Sequence, residues 1–452
     1  MSTIKIPNHS PPWGVQWRSS TSFIVATVWM ATFTEFFLFA MIVPVMPTAL
    51  ITRAHVLPAD RQYWSSVLLM CDAGMVVVCC PFFGFLVDRT RTRQLPFLSG
   101  LILLAASMIL LAVGKTLSIF LIARLLQGAA TAMVCVAGLT LTTDTFEKER
   151  LGTAIGYLGS ATTMGFVLGP SVGGVTYSKL GYEAVFIISA VLIGIDFVLR
   201  LLLIEKKVAI KWIQPGADIL SGDDEVLLDC DGQRVAPGGV KVLLKLLKEP
   251  RMLITLGGLC VIGILNSTFD ATMPVFVESS YHWSPIGAGL IFLPSALVSL
   301  LGPYSGSLCD RYGPRIMIFL GFLFLVPTQT CLAFVGHNSF LCIIALIGLM
   351  CLSGLFTITA LPSLYVESQS VLDDMEREKP GVMGSKGAVA QAFALQTMAQ
   401  FIGLFLGPLW ASFIMYRFGW AIMCWTLAFF SSCRCSFSAL AKWQASRSRG
   451  GF

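Results

Sequence analysis

Runs of about twenty predominantly apolar residues recur along this chain, each long enough to cross a bilayer as a helix. They lie near 22–48, 63–87, 95–114, 117–143, 150–176 and 183–204, and again near 252–278, 285–308, 315–336, 339–367, 386–416 and 420–440. Between the two sets, 205–250 is the longest polar stretch and holds Asp223, Asp224, Glu225, Asp229 and Asp231. Of the 452 residues, 56% are hydrophobic and 12% charged, whereas a water-soluble domain carries about 25% charged residues. So few charges cannot clothe a surface that faces water, and the lipid bilayer is the expected surrounding.

The basic residues give the chain an orientation. One set of loops and tails holds Lys5, Arg18, Arg89, Arg91, Arg93, Lys148, Arg150, Arg311, Arg315, Arg377, Lys379, Lys386, Lys442, Arg447 and Arg449, besides those of the central polar stretch. The opposite loops hold only Arg53, Arg61, Lys115, Lys179 and Arg417. An even number of spans with both ends in the cytoplasm follows. The expected fold is an all-α membrane protein with twelve transmembrane helices in two six-helix pseudo-symmetric halves. The boundaries are a cytoplasmic tail at 1–21, an N-terminal half at 22–205, a cytoplasmic linker at 206–250, a C-terminal half at 251–440 and a cytoplasmic tail at 441–452. The amphipathic end of the linker, 240–248, either lies on the membrane surface or leads directly into the seventh span. Ser431-Ser432-Cys433-Arg434-Cys435 interrupts the last apolar run, which reads as a poor span or an erroneous gene end from about Cys433.

The same features exclude several functions. The net charge of +6 is spread in short clusters, which does not suit nucleic acid. The 13 cysteines sit mostly inside apolar runs and form no CxxC pair with a histidine partner, so no metal or disulfide framework is expected. His9, His55, His282 and His337 lie in tails or loops without catalytic partners, which argues against an enzyme. Gly114-Lys115-Thr116 ends like a phosphate loop, but Ile109 stands where that loop needs glycine, which argues against a primary pump.

The halves echo each other. Gly84-Phe-Leu-Val-Asp88-Arg89-Thr-Arg-Thr-Arg93 follows the second span and Gly306-Ser-Leu-Cys-Asp310-Arg311-Tyr-Gly-Pro-Arg315 follows the eighth, with five of ten positions identical at an offset of 222. Gly165-x3-Gly169-Pro170 in the fifth span is likewise echoed by Gly403-x3-Gly407-Pro408 in the eleventh. Such duplication marks a secondary transporter. Each aspartate can accept hydrogen bonds from a neighbouring helix N-terminus and pair with nearby arginine, forming a latch that breaks when its side opens. A plain positive-inside anchor is the other reading.

These segments resemble the loop signature of the major facilitator superfamily, with Arg91 where the family usually has glycine. Arg124-Leu-Leu-Gln127-Gly128 resembles the family's RxxQG motif, which implies a part in proton coupling; a structural donor to backbone carbonyls is the alternative. Gly156, Gly165, Gly169, Pro170, Gly173 and Gly174 match the family's antiporter motif, G-x8-G-x3-G-P-x2-G-G, at every position, and that motif marks exporters. Bare glycines on one helix face admit a close neighbour.

Four acids fall in apolar spans away from these motifs: Glu35, Asp72, Asp196 and Asp270. An acid there persists only where it faces water, finds a cation or carries a proton. Glu35 stands nine residues before Pro44, and Asp270 four before Pro274. Both arrangements are similar to those of the vesicular amine transporters and their fungal drug:proton antiporter relatives, and Glu367 resembles a third acid of that group. The amine transporters' lysine in helix two is replaced by Asp72, and their acid in helix eleven by about Thr397, which favours a different substrate. Asp196 matches no role in the family.

The resemblance implies a monomeric, proton-coupled antiporter that exports an amphiphilic small organic molecule, a secondary metabolite or drug, by alternating access. Glu35, Asp270, Arg124, Glu367 and Asp72 are the candidates for proton coupling and the substrate cavity. The proton gradient would supply the energy, with no cofactor, and the plasma membrane is the expected location, with a vacuolar or vesicular membrane the alternative. A non-transporting sensor, a solute channel on the same fold and a vesicular amine-type loader remain as competing functions.

Overall fold

The structure, a computed structural model, describes residues 13–90, 92–213, 240–283, 290–336, 339–378 and 388–449, with side chains as far as Cys433 in the last segment. Arg91, Lys379, Lys386, the linker acids 223–231, the tail before Trp13 and the side chain of Arg434 lie outside the described residues.

Helices make up the whole described architecture. A short turn, α1 (Val15–Arg18), leads to α2 (Thr21–Ile42), whose N-terminus is capped by the Ser20 hydroxyl accepting from the Phe23 N–H. Pro44 and Pro47 cannot continue the α2 ladder, so the first expected span is two helices, α2 and α3 (Met46–Thr52). Then come α4 (Arg61–Arg89), α5 (Gln94–Val113), α6 (Leu117–Thr145), α7 (Leu151–Leu180) and α8 (Tyr182–Leu202). Two short helices, α9 (Lys206–Ile213) and α10 (Val240–Leu246), flank the linker, and Leu246 of α10 is buried against the second half.

The second half begins with α11 (Pro250–Tyr281). The expected eighth span is broken into α12 (Leu293–Ser299) and α13 (Gly302–Tyr312). Gly313, at φ 89°, reverses the chain into α14 (Pro314–Leu332), a conformation that only glycine adopts readily. The tenth span, α15 (Phe340–Glu378), runs well past the expected end at 367. The last element, α16 (Val389–Arg449), is two arms meeting at Gly419, at φ 83°.

Ten helices among the described residues are long and apolar enough to cross a membrane. The twelve expected spans map onto these ten, one of them two-armed, together with the broken pair α12–α13. The apolar core centres on Phe97, Phe120 and Met133 in the first half and on Leu259, Phe322 and Leu395 in the second, and it runs across the interface, where Leu139, Leu151 and Ile155 join the second and Ala390, Ala394 and Phe401 the first. Apolar side chains also cover the outside, for instance Ile187, Val191 and Val198 along α8. An exposed apolar belt of this size is stable only against lipid, and the protein is an integral multi-pass membrane protein.

Candidate functional site

The two halves meet on the basic face, where each lends an acid to the other. The Asp88 carboxylate at the end of α4 accepts from the backbone N–H groups of Ala390 and Gln391, both at 3.1 Å, in the first turn of α16. Asp310 on α13 accepts from the N–H groups of Gly152 and Thr153 at 2.7 and 2.8 Å, in the first turn of α7, and from the Thr153 hydroxyl at 2.7 Å. A helix N-terminus offers unpaired donors and a positive dipole end, so a carboxylate there is held by charge and geometry together. The two contacts are equivalent residue for residue, and each crosses between halves.

Arginines and further acids surround the two caps. Arg93 lies 3.9 Å from Asp88 and 3.2 Å from Asp144 at the end of α6, and it donates to the Val87 carbonyl. In the second half Arg315 reaches Glu367 at 3.0 Å, and Arg251 bridges Glu367 at 2.8 Å and Asp374 at 2.7 Å. Glu367 therefore belongs to the ion cluster of the basic face. Lys148 reaches Asp373 at 2.7 Å across the halves. Arg89 and Arg311 stand exposed beside these clusters, the latter with its guanidinium 5.6 Å from the Tyr312 ring.

The linker joins the first cluster as well. Glu205 accepts from the Gln94 N–H at 2.8 Å at the start of α5, and Lys206 donates to the Thr145 carbonyl at 2.9 Å at the end of α6. Burial raises the Glu205 carboxyl above its ordinary range, opposed by the backbone N–H groups of Gln94 and Arg93.

Replacing a capping acid should weaken closure of this face. A hydrogen bond to a charged group contributes about 1.5–3 kcal/mol, so Asp88→Ala or Asp310→Ala should shift the equilibrium toward the open basic face roughly tenfold. In a transport assay the maximal rate should fall more than the apparent affinity. Lost affinity with an intact rate would show that these acids contact substrate instead.

The glycines of α7 divide between two neighbours. A Cβ on Gly156 would lie 2.2 Å from the Gly302 carbonyl oxygen, and one on Gly152 would lie 2.6 Å from the Gly306 oxygen, both across the halves. Reciprocally, Cβ atoms on Gly302 and Gly306 would meet the Gly156 and Gly152 oxygens at 2.5 and 2.0 Å. Gly165, Gly169 and Gly173 instead face α2, where a Cβ would fall within 2.8 Å of backbone at Phe37 or Met41. Pro170 is exposed, and a Cβ on Gly174 would meet nothing within 4 Å. On the other side of the interface, Gly84 of α4 faces Ala394 and Ala390 of α16.

A second group of polar side chains is sealed inside the first half. Glu35 on α2, Asp72 on α4, and Arg124 and Gln127 on α6 are all buried. Arg124 donates to the Gln127 side-chain oxygen at 2.8 Å, and the Thr131 hydroxyl lies 2.7 Å from Glu35 Oε1. A Cβ on Gly128 would meet the Asp72 carbonyl at 2.3 Å, so the RxxQG glycine brings α6 against α4. On α8, Asp196 and Arg200 form a fully buried ion pair at 2.7 Å, one helical turn apart. Arg200 also donates to the Phe97 carbonyl and sits 4.1 Å from the centre of the Phe97 ring.

Asp270 is placed differently. Its side chain is exposed on α11, unlike those of Glu35, Asp72 and Asp196. Asn266, one turn earlier on α11, shares that exposed face. Among the described residues Asp270 has no hydrogen-bond or ion-pair partner. The structure does not bring Glu35 and Asp270 together: the charged groups around Glu35 are Asp72, Asp196 and Arg200, all of the first half.

Several members of the site escape a reading of motifs. Asp144 stands 51 residues beyond its partner Arg93 and Glu367 stands 52 beyond Arg315, so the internal repeat itself marks Asp144. The i, i+4 spacing of Asp196 and Arg200 is a helical ion-pair signal. Arg251, Glu205 and Thr131 carry no signal beyond their residue type.

Over residues 28–373 the sequence matches the Major Facilitator Superfamily. It is 32% identical to the MFS-type transporter ppzB of Metarhizium rileyi, across 92% of this chain and 94% of that one. An MFS-type transporter of Schizosaccharomyces pombe is 28% identical across 92% of this chain and 95% of its own length. The chromaffin granule amine transporter of Homo sapiens is 27% identical, across 61% of this chain and 48% of that protein. The crystal structure of the human organic anion transporter MFSD10 (TETRAN) superposes with a TM-score of 0.64 over 92% of this chain and 99% of that one, at 16% identity, a likeness of fold alone.

Proposed function

The chain belongs to the major facilitator superfamily and is a transporter, and on that premise we propose a secondary active exporter that trades protons for an amphiphilic small organic molecule. The carrying observation is Asp270: an exposed acid on the membrane-spanning helix α11 with no cation opposite it among the described residues, on a protein whose basic face is shut. An acid in that setting needs a proton or a cationic guest for compensation, and the two exclude each other. Protonation from the open side releases the guest, and deprotonation once the basic face opens admits the next one. Energy comes from the proton gradient, without a cofactor. The basic residues place the latch in the cytoplasm, the carrier acts as a monomer, and the plasma membrane is its location.

Export rather than uptake is supported by the complete glycine motif of α7. A monoamine substrate is disfavoured because Asp72 and Thr397 replace the charge pair of the amine transporters; a secondary metabolite or drug fits better.

The test is proton-driven accumulation in sealed vesicles across a panel of amphiphilic amines and neutral metabolites, with Glu35→Gln and Asp270→Asn made separately. Each variant keeps the shape of the acid and cannot release a proton. Asp270→Asn should lower accumulation at least tenfold while leaving downhill exchange measurable, and Glu35→Gln should also reduce it. Undiminished accumulation in both would remove these acids from coupling and turn attention to Arg124 with Asp72.

A further inference from the structure

On the reading that proton exchange drives transport, we infer that Thr131 is a positioning residue for Glu35, its single hydroxyl serving that acid both with and without its proton. Thr131 Oγ1 lies 2.7 Å from Glu35 Oε1 and 3.1 Å from the Gln127 carbonyl oxygen one turn back on α6. Both side chains are buried, Glu35 at 0% exposure and Thr131 at 3%. A hydroxyl has one proton to give and two lone pairs to receive. It cannot donate to both oxygens at once.

The two donations correspond to two states of the acid. When Glu35 is ionised, Thr131 gives its proton to Oε1, the stronger acceptor because it is charged. When Glu35 carries a proton on Oε1, the acid donates to Thr131 Oγ1, and the threonine turns its own hydrogen to the Gln127 carbonyl. Neither state leaves the hydroxyl unpaired, a cost that a buried group otherwise bears in full. Among the described residues Thr131 is the sole hydrogen-bond donor to Glu35, and no cation lies within ion-pair distance of it.

Other charges act on the acid only from farther away. Asp72 faces it from α4 and is itself opposed by Arg124 of α6, the Cys135 thiol faces it from α6, and the Asp196–Arg200 pair faces it from α8, where each charge is largely answered by its partner. Arg18 lies at the basic end of the bundle, on α1. The α7 helix, packed along α2, carries no Asp, Glu, Lys, Arg or His between Leu151 and Ser178.

The sign of the effect is fixed by which state loses more. Removing the hydroxyl takes the only donor from the ionised acid, so Glu35 should keep its proton to higher pH. The protonated acid loses a weaker, neutral hydrogen bond at the same time, so the displacement is the difference between the two losses, about one pH unit.

The purified full-length protein in nanodiscs reads this directly, by infrared titration of the carboxyl band that Glu35→Gln abolishes. In Thr131→Val the midpoint of that band should move alkaline by about one pH unit, and in Thr131→Ser it should stay at the wild-type value. An unmoved midpoint in Thr131→Val, an equal movement in Thr131→Ser, or no band lost in Glu35→Gln overturns the inference. Should the valine protein fail to reach the membrane, Thr131→Ala lacks the same hydroxyl and gives the same reading. A moved band together with no proton flux in vesicles would sink the proton-exchange reading and leave the pairing of Thr131 with Glu35 standing.

Discussion

Gly156→Leu is expected to abolish transport while leaving the protein folded in the membrane. Even its first added carbon would lie 2.2 Å from the Gly302 oxygen, well inside any tolerated contact, and the obstacle is backbone that cannot rotate aside. The α7 and α13 helices would have to separate, and with them the Asp310 cap two turns of hydrogen bonding away would be drawn from Gly152 and Thr153. Packed interfaces do not stretch by degrees, so the basic face should remain open. Transport should drop about a hundredfold or more, an effect equal to about 2.7 kcal/mol or more against the closed state. Cysteines placed along the basic ends of α4 and α13 should react continuously with an impermeant thiol reagent. Wild-type transport in this variant would mean that the α7–α13 contact does not gate the cycle. Gly173→Leu acts elsewhere: its carbon meets Met41 within the first half, 2.1 Å from the carbonyl oxygen, and the expected loss is of folded protein.

Asp196→Ala should cost far more stability than removal of either capping acid. It leaves the Arg200 guanidinium, at 0% exposure, without its carboxylate. Breaking a buried pair from one side costs about 3–5 kcal/mol, because the remaining charge has no water to turn to. Thermal unfolding of the purified protein should begin far below the wild-type temperature, with reduced yield. Removing both charges, as Asp196→Leu with Arg200→Leu, should recover most of the loss, since apolar residues surround the pair along α8 from Ala190 to Leu202. Equal unfolding temperatures for Asp196→Ala and wild type would show that the pair contributes nothing.

The transmembrane pattern is plain in the sequence because lipid demands it: any helix that crosses must present about twenty apolar residues. What the pattern hides is where a span bends. The first apolar run reads as one span over 22–48, and the proline pair at Pro44 and Pro47 splits it into two helices; the eighth parts at Leu300 and Leu301, inside an apolar stretch. Hydropathy reports solvent, and helix breaks depend on backbone hydrogen bonding that hydropathy does not see. Site residues follow the same division. The repeat of 84–93 and 306–315 marks Asp88 and Asp310, whereas their partners lie 302 and 158 residues away and are backbone groups with no side-chain signature. Glu367, at the cytoplasmic end of the expected span 339–367, is a cavity candidate by resemblance, and the fold pairs it with Arg251 and Arg315, partners 116 and 52 residues away that hydropathy does not assign. Asp270 and Glu35 sit in similar proline contexts, and only side-chain exposure separates them: one is exposed, the other is sealed against α6.

The crossed caps have a bearing on ancestry. A residue of one copy that caps a helix of its partner is answered by the reverse contact whenever two identical chains assemble about a twofold axis. Asp88 on the start of α16 and Asp310 on the start of α7 stand in that relation, matched at the second and third residues of the receiving helices. A pair of separate six-helix chains would have made both contacts from one surface, and any substitution there would have struck twice. Joining the copies into a single chain releases that constraint. Ala390 and Ala394 face Gly84 on one side, while Gly152 and Gly156 face Gly306 and Gly302 on the other: in a single chain the two surfaces are free to differ.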